Sequence, residues 1–246
     1  MMRERLCALM HDRILVIDGA MGTMVQTYNL TEEDFRGELF SSHDIDIKGN
    51  NEALVLTRPE VITEIHEKYL EAECDIIETN TFGATFIAQS EYGLGEYARK
   101  MNVQAAKLAK EACNKWSTDE KPRFVAGAIG PTNKTLSTSE DVDDPSSRLV
   151  TFDELKKSYY EQVCGLIEGG IDIVLIETIF DVLNAKAAIV ATLDAFDELG
   201  VELPIMISVT FIQEGNNRTV FGQTVEAFWA TIAHANPLIV GINCGL

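Results

Sequence analysis

Residues that can do chemistry stand where short apolar runs of this sequence end. Asp18, Glu78 and Glu177 each close such a run, and the run 238–243 is followed at once by Cys244. A carboxylate whose neck is buried needs a partner or a function. A thiol that loses its proton becomes a nucleophile or a metal ligand, and the residue types leave both uses open for Cys244. The sequence therefore predicts binding or reactive groups at four strand ends.

These residues also have plain structural interpretations. A strand-end carboxylate can hydrogen-bond a neighbouring loop, and Asp181 competes with Glu177 for the functional role. The segment Asp18-Gly-Ala-Met-Gly-Thr23 can form an ordinary turn, or its glycines can let a ligand approach and its amides can hold an anion. Because the segment lacks the GxGxxG pattern, it does not predict a dinucleotide loop. No CxxC or HExxH motif offers Cys244 a metal-binding partner nearby.

Six apolar runs predict β-strands, and helical patterns lie between them. The runs are continuous rather than alternating, which is typical of strands buried on both faces. Regular alternation of strand and helix predicts a parallel sheet, and the similarity of 71–79 to 168–178 favours repeated βα units in a barrel. The carboxyl ends of barrel strands form the active face, so the four groups are expected to converge there. The strands are predicted at 14–18, 75–79, 124–129, 172–177, 204–210 and 238–243.

Helix boundaries and two long connections complete the predicted architecture. Thr57-Arg-Pro-Glu60 and Thr151-Phe-Asp-Glu154 have the pattern of capping boxes, and Gly169-Gly170 is a stop signal. The connections 19–56 and 131–148 follow strand ends and are longer than usual, which favours a functional role over a mobile excursion. Further helices are predicted at 96–116, at 184–199 and after Thr224.

Composition narrows the classes of protein to consider. The 246 residues carry a net charge of −19, which argues against a nucleic-acid binder because such proteins need a basic footprint. No apolar run approaches the ~18 residues that span a bilayer, and the first residues lack a signal-peptide pattern. The five cysteines are scattered and odd in number. This favours reduced thiols and a cytoplasmic location, with Cys74, Cys113 and Cys164 as small core residues.

Taken together, the motifs resemble the N-terminal homocysteine-binding domain of cobalamin-dependent methionine synthases, which is a homocysteine S-methyltransferase domain. The resemblance covers nearly the whole chain in order. In the loop 131–148 the chain is more similar to these synthases than to betaine-dependent homocysteine methyltransferases. The matching segments are Arg13–Met24, Asp34–Gly37, Asp75–Phe82, Ala126–Asn133, Asp141–Pro145, Glu177–Ala187, Gly222–Phe228 and Gly241–Cys244.

The resemblance implies a parallel (β/α)8 barrel of the TIM type that binds homocysteine through zinc. About six of the βα units are expected within residues 1–246, as one domain that is truncated at its C-terminal side. In the family, three cysteine thiolates and the substrate thiol bind the zinc. One of these cysteines corresponds to Cys244, and the sequence has no counterpart of the other two, which are adjacent in a Gly-rich segment after the last strand.

The resemblance also implies how the substrate is held. The family binds the ammonium and carboxylate groups of homocysteine with the acid after the first strand, the glycine-rich backbone beside it and the acid that ends the fourth strand. These correspond to Asp18, to Gly19 and Ala20, and to Glu177. Three further strand-end residues are expected to line the same pocket, namely Glu78, Asn80 and Asn243.

The implied reaction is methyl transfer to homocysteine, giving methionine. A free thiol has a pKa of ~8.5 and is mostly protonated at neutral pH, and zinc coordination removes that proton. The implied donor is methylcobalamin. Such enzymes supply it through cobalamin- and folate-binding modules, and those modules are not part of this sequence. We expect the chain alone to be inactive. Two alternatives stay open: another donor, such as betaine or S-methylmethionine, or a non-catalytic partial barrel that needs a partner chain.

Overall fold

A curled half-barrel of five parallel strands forms the centre of the molecule, in a computed structural model that describes residues 1–139, 141, 143–211, 215 and 217–245. Each strand pairs with the next one along the chain, which confirms the predicted α/β fold and matches an incomplete TIM-type barrel. The strands are β1 Ile76–Glu78, β2 Phe124–Ile129, β3 Ile173–Ile179, β4 Ile205–Val209 and β5 Ile239–Ile242.

Helices connect the strands and cover the outer face of the sheet. The three longest pack side by side, and their apolar faces meet the outward side chains of the central strands in one core. The helices of the described residues are α1 Met2–Asp12, α2 Met21–Gln26, α3 Glu32–Arg36, α4 Leu54–Thr57, α5 Pro59–Glu71, α6 Phe86–Ser90, α7 Ala98–Trp116, α8 Phe152–Gly169, α9 Val182–Leu199 and α10 Val225–Ile232. The connection 19–56 is therefore not a plain loop, because it contains α2, α3 and most of α4.

The first predicted strand, 14–18, is reduced to one parallel bridge between Ile17 and Ile76. The amide of Asp18 donates to the carbonyl of Ile76 at 2.9 Å, so the segment still follows β1. It pairs on one side only, and Ile14 is 88% exposed. Val16 is 53% exposed as well, so the run gains little of the side-chain packing that stabilises a strand. At the opposite edge, β5 alternates between partly buried and exposed residues.

Two predicted capping boxes have opposite outcomes. At Thr151 the box is confirmed, because its hydroxyl accepts from the amide of Glu154 at 3.2 Å and its own amide donates to the Glu154 carboxylate at 2.8 Å. At Thr57 the prediction is wrong, since Thr57 ends α4 and its hydroxyl donates back to the carbonyl of Ala53. The cause is Pro59, which forces the preceding residue out of the helical region and makes α5 start anew.

The inner face of the half-barrel is covered by α1. Leu6 of α1 is 1% exposed and packs with Phe124 and Leu175, which point inward from β2 and β3. Strands β2, β3 and β4 are buried along their whole length, as the continuous apolar runs predict. The inner face thus has an apolar floor, above which the strand ends open.

Close packing of α7 against α8 depends on two glycines one helical turn apart. A methyl group added at Gly169 would collide with Ala106 and lie 2.7 Å from the carbonyl oxygen of Val103. At Gly165 it would lie 3.0 Å from the carbonyl oxygen of Arg99. The backbone of α8 therefore approaches α7 more closely than any residue with a side chain would allow.

Two further properties agree with the sequence. All five cysteines lie within the described residues, and none forms a disulfide. Of the helices in the described ranges, none combines the length and apolar character that crossing a bilayer requires.

The substitution Gly169→Ala should lower the free energy of unfolding by about 1–3 kcal/mol, because the added methyl group overpacks the α7–α8 contact. Urea denaturation measures this change. Gly241→Ala is the matched control, since its nearest neighbour would be the Cβ of Ser208 at 3.9 Å. Equal effects of the two substitutions would contradict the role of the close helix contact.

Candidate functional site

Polar side chains gather on the inner face, one step above the apolar floor. Glu78 and Glu177 each lie two residues beyond an inward-facing floor residue, Ile76 and Leu175 respectively, and therefore point to the same side. Asn243 follows the last residue of β5 and hydrogen-bonds to Glu177. The predicted convergence of strand-end groups is thus present in the fold.

Three carboxyl groups, those of Asp18, Glu78 and Glu177, form an acidic patch in which each influences the others. Both carboxylate oxygens of Asp18 accept from the backbone amide of Glu78, at 3.0 and 3.1 Å. Burial raises the pKa of Asp18 to about 8, and the charge of Glu177 adds to the rise. Burial raises the pKa of Glu78 to about 9, again helped by the charges of Glu177 and Asp18. The site therefore holds negative groups that repel one another once ionised.

Glu177 differs from the other two acids in its hydrogen bonds. Burial raises its pKa to about 7, while donors from Thr178 and Asn243 oppose the rise by stabilising the carboxylate. Its Oε2 atom lies 3.3 Å from the Thr178 hydroxyl and 3.1 Å from Asn243 Nδ2. Among the three acids, Glu177 is therefore the one that most readily carries charge near neutral pH. A cation placed between the acids would favour ionisation of all three.

Asn243 ties the ends of three strands together. Its Oδ1 atom accepts from the amide of Thr178 at 3.1 Å and from the hydroxyl of Ser208 at 3.0 Å. Its Nδ2 atom donates to the Thr178 hydroxyl at 2.8 Å. One amide side chain thus fixes β5 to β3 and β4 at the edge where Glu177 lies.

Cys244 follows directly, with an exposed thiol. Its Sγ atom lies 3.9 Å from Asn243 Nδ2 and 4.0 Å from the Thr178 hydroxyl, both of which can donate to sulfur. Its carbonyl accepts from the hydroxyl of Thr210 at 2.9 Å, and its φ of 49° is left-handed. The sulfur is therefore held beside the acidic patch, with one side open to solvent.

Among the described residues Cys244 is a candidate ligand for a zinc ion, and these residues do not form a complete site. A zinc centre with an open position takes three protein ligands. Within the described ranges, no three His, Cys, Asp or Glu side chains are grouped so that they could hold a metal. The groups next to Cys244 are a hydroxyl and an amide, which suit hydrogen bonding to a thiolate. Cys244 fits the role of a single ligand.

The glycine-rich segment is a strand-to-helix turn that packs on α5. A side chain at Gly19 would meet the hydroxyl of Tyr69 at 3.2 Å, and that hydroxyl lies 3.4 Å from the Ala20 carbonyl as its donor. Gly19 and Ala20 are exposed beside Asp18, so a ligand can reach their backbone. Asn80 is buried and donates to the carbonyl of Asn51 at 2.7 Å. Asn80 therefore anchors the connection 19–56 above the site.

Asp181, the competitor of Glu177, has a structural role. Its carboxylate caps α9 by accepting from the amide of Leu183 at 2.9 Å. It also accepts from the amide and the hydroxyl of Ser137, at 2.9 and 2.7 Å, and so holds the connection 131–148. Two residues of that connection, Glu140 and Val142, lie outside the described residues.

Sequence reasoning did not identify Thr178 and Ser208 as parts of the site. Ser208 is an interior residue of β4, and nothing in its apolar surroundings distinguishes it. Thr178 stands in the repeated Glu-Thr pair that also occurs at 78–79, which is the one available signal. Its position in the site depends on a register shift in β3, which no local pattern reveals.

Stability should fall as pH rises from about 4 to about 9. Asp18, Glu78 and Glu177 have raised pKa values, so the folded state binds more protons than the unfolded state in this window. Asp18→Asn should flatten the fall, as measured by urea denaturation at pH 5 and pH 8. Asp119→Asn, at an exposed acid, is the control. An unchanged pH dependence in Asp18→Asn would show that Asp18 does not contribute to the loss of stability with rising pH.

Comparison with known proteins assigns the chain to a family. The family described as homocysteine S-methyltransferase matches residues 15–246. The metallated homocysteine methyltransferase MmuM from Escherichia coli is 20% identical, over 96% of this chain and 77% of that chain, with a TM-score of 0.70. Its oxidized form is 20% identical, over 97% and 76%, with a TM-score of 0.72. These likenesses show the common fold, and the family match shows that the chain belongs to the homocysteine S-methyltransferase family.

Proposed function

We propose that this chain is the homocysteine-binding module of a methyltransferase that gives methionine, and that it needs further protein groups for turnover. The observation that carries the proposal is the hydrogen-bonded link from the acidic patch through Glu177 and Asn243 to the exposed sulfur of Cys244. Homocysteine has an ammonium group at one end and a thiol at the other, so it matches the two ends of this arrangement. Membership of the homocysteine S-methyltransferase family supports the reaction class.

The acidic patch is the proposed binding site for the substrate ammonium group. Burial raises the pKa of Asp18 and of Glu177, and the charge of Glu177 adds to the rise at Asp18, so a cation between them favours the ionised form of both acids. Glu78, whose pKa is raised in part by the charges of these two acids, would add to the attraction for the ammonium group once it is ionised. The exposed backbone of Gly19 and Ala20 is the proposed partner of the substrate carboxylate.

Cys244 is the proposed anchor of the thiol end. In this proposal it is one thiolate ligand of a zinc site whose other ligands lie outside the described residues. Asn243 and the Thr178 hydroxyl support that role because both can donate to the sulfur. The metallated form of MmuM is consistent with metal binding in a protein of the same fold.

Methylcobalamin is the proposed methyl donor, on the resemblance of the chain to cobalamin-dependent synthases. Betaine and S-methylmethionine remain alternative donors in the same family. The exposed side of Cys244 suits either kind, since a donor has to approach the thiol from solvent or from another module. A methyl-transfer assay with each donor separates the three.

A second candidate function is a partial barrel that pairs with further strands from another polypeptide. Both edges of the sheet favour it, because Ile14 is 88% and Ile242 is 65% exposed. Unpaired apolar edges of this kind are ready to pair with other strands. Size-exclusion chromatography with light scattering would detect such a complex.

Asp18→Asn and Glu177→Gln should each weaken homocysteine binding about tenfold or more, because each loses a charge-assisted contact to the ammonium group. Isothermal titration calorimetry gives the dissociation constants. γ-Mercaptobutyrate, which lacks the amino group, should bind wild type weakly and should not distinguish the variants. Asp119→Asn is the matched control. Undiminished homocysteine binding in both acid variants would refute the proposed ammonium site.

The purified chain of 246 residues should hold well under one zinc ion per molecule and show no turnover, because one thiolate binds zinc weakly. Elemental analysis and the methyl-transfer assay measure both properties. Cys244→Ser should remove any zinc that is present, while Cys7→Ser, at another exposed thiol, should not. Near one zinc per chain, lost only in Cys244→Ser, would mean that other groups complete the site.

A further inference from the structure

Thr178 has an unusual backbone conformation beside the proposed substrate acid. Its φ is 57°, in the left-handed region, and the pairing of β3 with β4 shifts register between Ile176 and Ile179. This region is sterically unfavourable for residues with a branched Cβ. Strained residues of this kind persist only when their surroundings hold them, and they cluster at functional sites. The contacts that this conformation gives Thr178 are therefore of functional interest.

The strain brings both polar groups of Thr178 to the other strand ends. Its amide donates to Asn243 Oδ1 at 3.1 Å and lies 3.3 Å from the hydroxyl oxygen of Ser208. Its own hydroxyl accepts from Asn243 Nδ2 at 2.8 Å. That leaves one hydroxyl proton, which can be donated to Glu177 Oε2 at 3.3 Å or to Cys244 Sγ at 4.0 Å. The hydroxyl therefore lies between an acid and a sulfur and can donate to one of them at a time.

Thr79 provides an internal comparison, because it follows Glu78 as Thr178 follows Glu177. The Thr79 hydroxyl hydrogen-bonds to the neighbouring strand and loop, since it accepts from the amide of Ala128 at 3.0 Å and lies 2.6 Å from the hydroxyl of Thr81. Thr79 is not among the residues with positive φ. The same dipeptide thus supports the sheet after β1, whereas at the end of β3 it faces the site.

We propose that Thr178 is a positioning residue for homocysteine. Its hydroxyl accepts from Asn243 and donates to either Glu177 or Cys244, and through this network it keeps the carboxylate and the sulfur near each other, so that the ammonium and thiol ends of one substrate molecule are engaged together. The left-handed backbone is the means by which the hydroxyl reaches both groups. This inference rests on the proposed function.

The test separates the hydroxyl from the strain. Thr178→Val keeps the branched shape and removes the hydroxyl, and it should raise the homocysteine dissociation constant roughly tenfold in calorimetry. Thr178→Ser should restore binding to near the wild-type value. Thr178→Gly removes the hydroxyl and relieves the strain, and it should bind homocysteine as weakly as Thr178→Val, because the hydroxyl and not the backbone conformation alone is required.

Thr192→Val is the matched control, because Thr192 is fully buried in α9 and its hydroxyl donates only to the carbonyl of Ala188, at 2.8 Å. It should change the melting temperature without changing the dissociation constant. Wild-type affinity in Thr178→Val would overturn the positioning role and leave the proposed function standing. Absence of homocysteine binding in the wild type would overturn both. Failure of Thr178→Ser to rescue binding would assign the effect to packing.

Discussion

Burial of three carboxyl groups at one end of the half-barrel is the constraint on which the site depends. Asp18, Glu78 and Glu177 come from three different strand ends, and each is pushed towards its protonated form by burial or by its neighbours. An arrangement of this kind opposes stability near neutral pH, because the folded state must hold protons that the unfolded state releases. A bound cation would compensate for this cost, and in the proposed function that cation is the ammonium group of the amino-acid substrate.

The fold allows this arrangement because the layer below it is fully apolar. Leu6 of α1 packs against Phe124 and Leu175, so the layer directly beneath the acids is an apolar cluster. The outer helices hold the strands from the other side, and the α7–α8 contact through Gly169 sets how closely they can approach. A cation that relieves the repulsion among the three acids therefore has to enter at the open carboxyl ends of the strands. Stability of the core and chemistry of the site are thus separated into successive layers of the same strands.

The sequence was sufficient to predict the strand ends and therefore the acids that meet there. Continuous apolar runs locate β2, β3 and β4, and the residue after each run is placed by simple alternation. Prediction failed at three places for different reasons. Pro59, which lies inside the capping pattern, moves the helix start away from Thr57, and the run 14–18 forms a single bridge because its apolar side chains find little to pack against. The site contribution of Thr178 depends on a register shift between two strands, which arises only when both are assembled.

The two ends of the proposed substrate site are built differently, and the difference matters for the reaction. The ammonium end consists of partly or fully buried acids whose positions are fixed by backbone amides and by Asn243. The thiol end is the exposed sulfur of Cys244, on the last residue but one that the structure describes, at the edge of the sheet. A binding end that excludes water gives orientation, because charge pairing is stronger where solvent is displaced. In the proposed function, the exposed sulfur can be reached by a methyl donor. The asymmetry therefore suits a transfer in which the amino acid is held from behind and its thiol is presented outward.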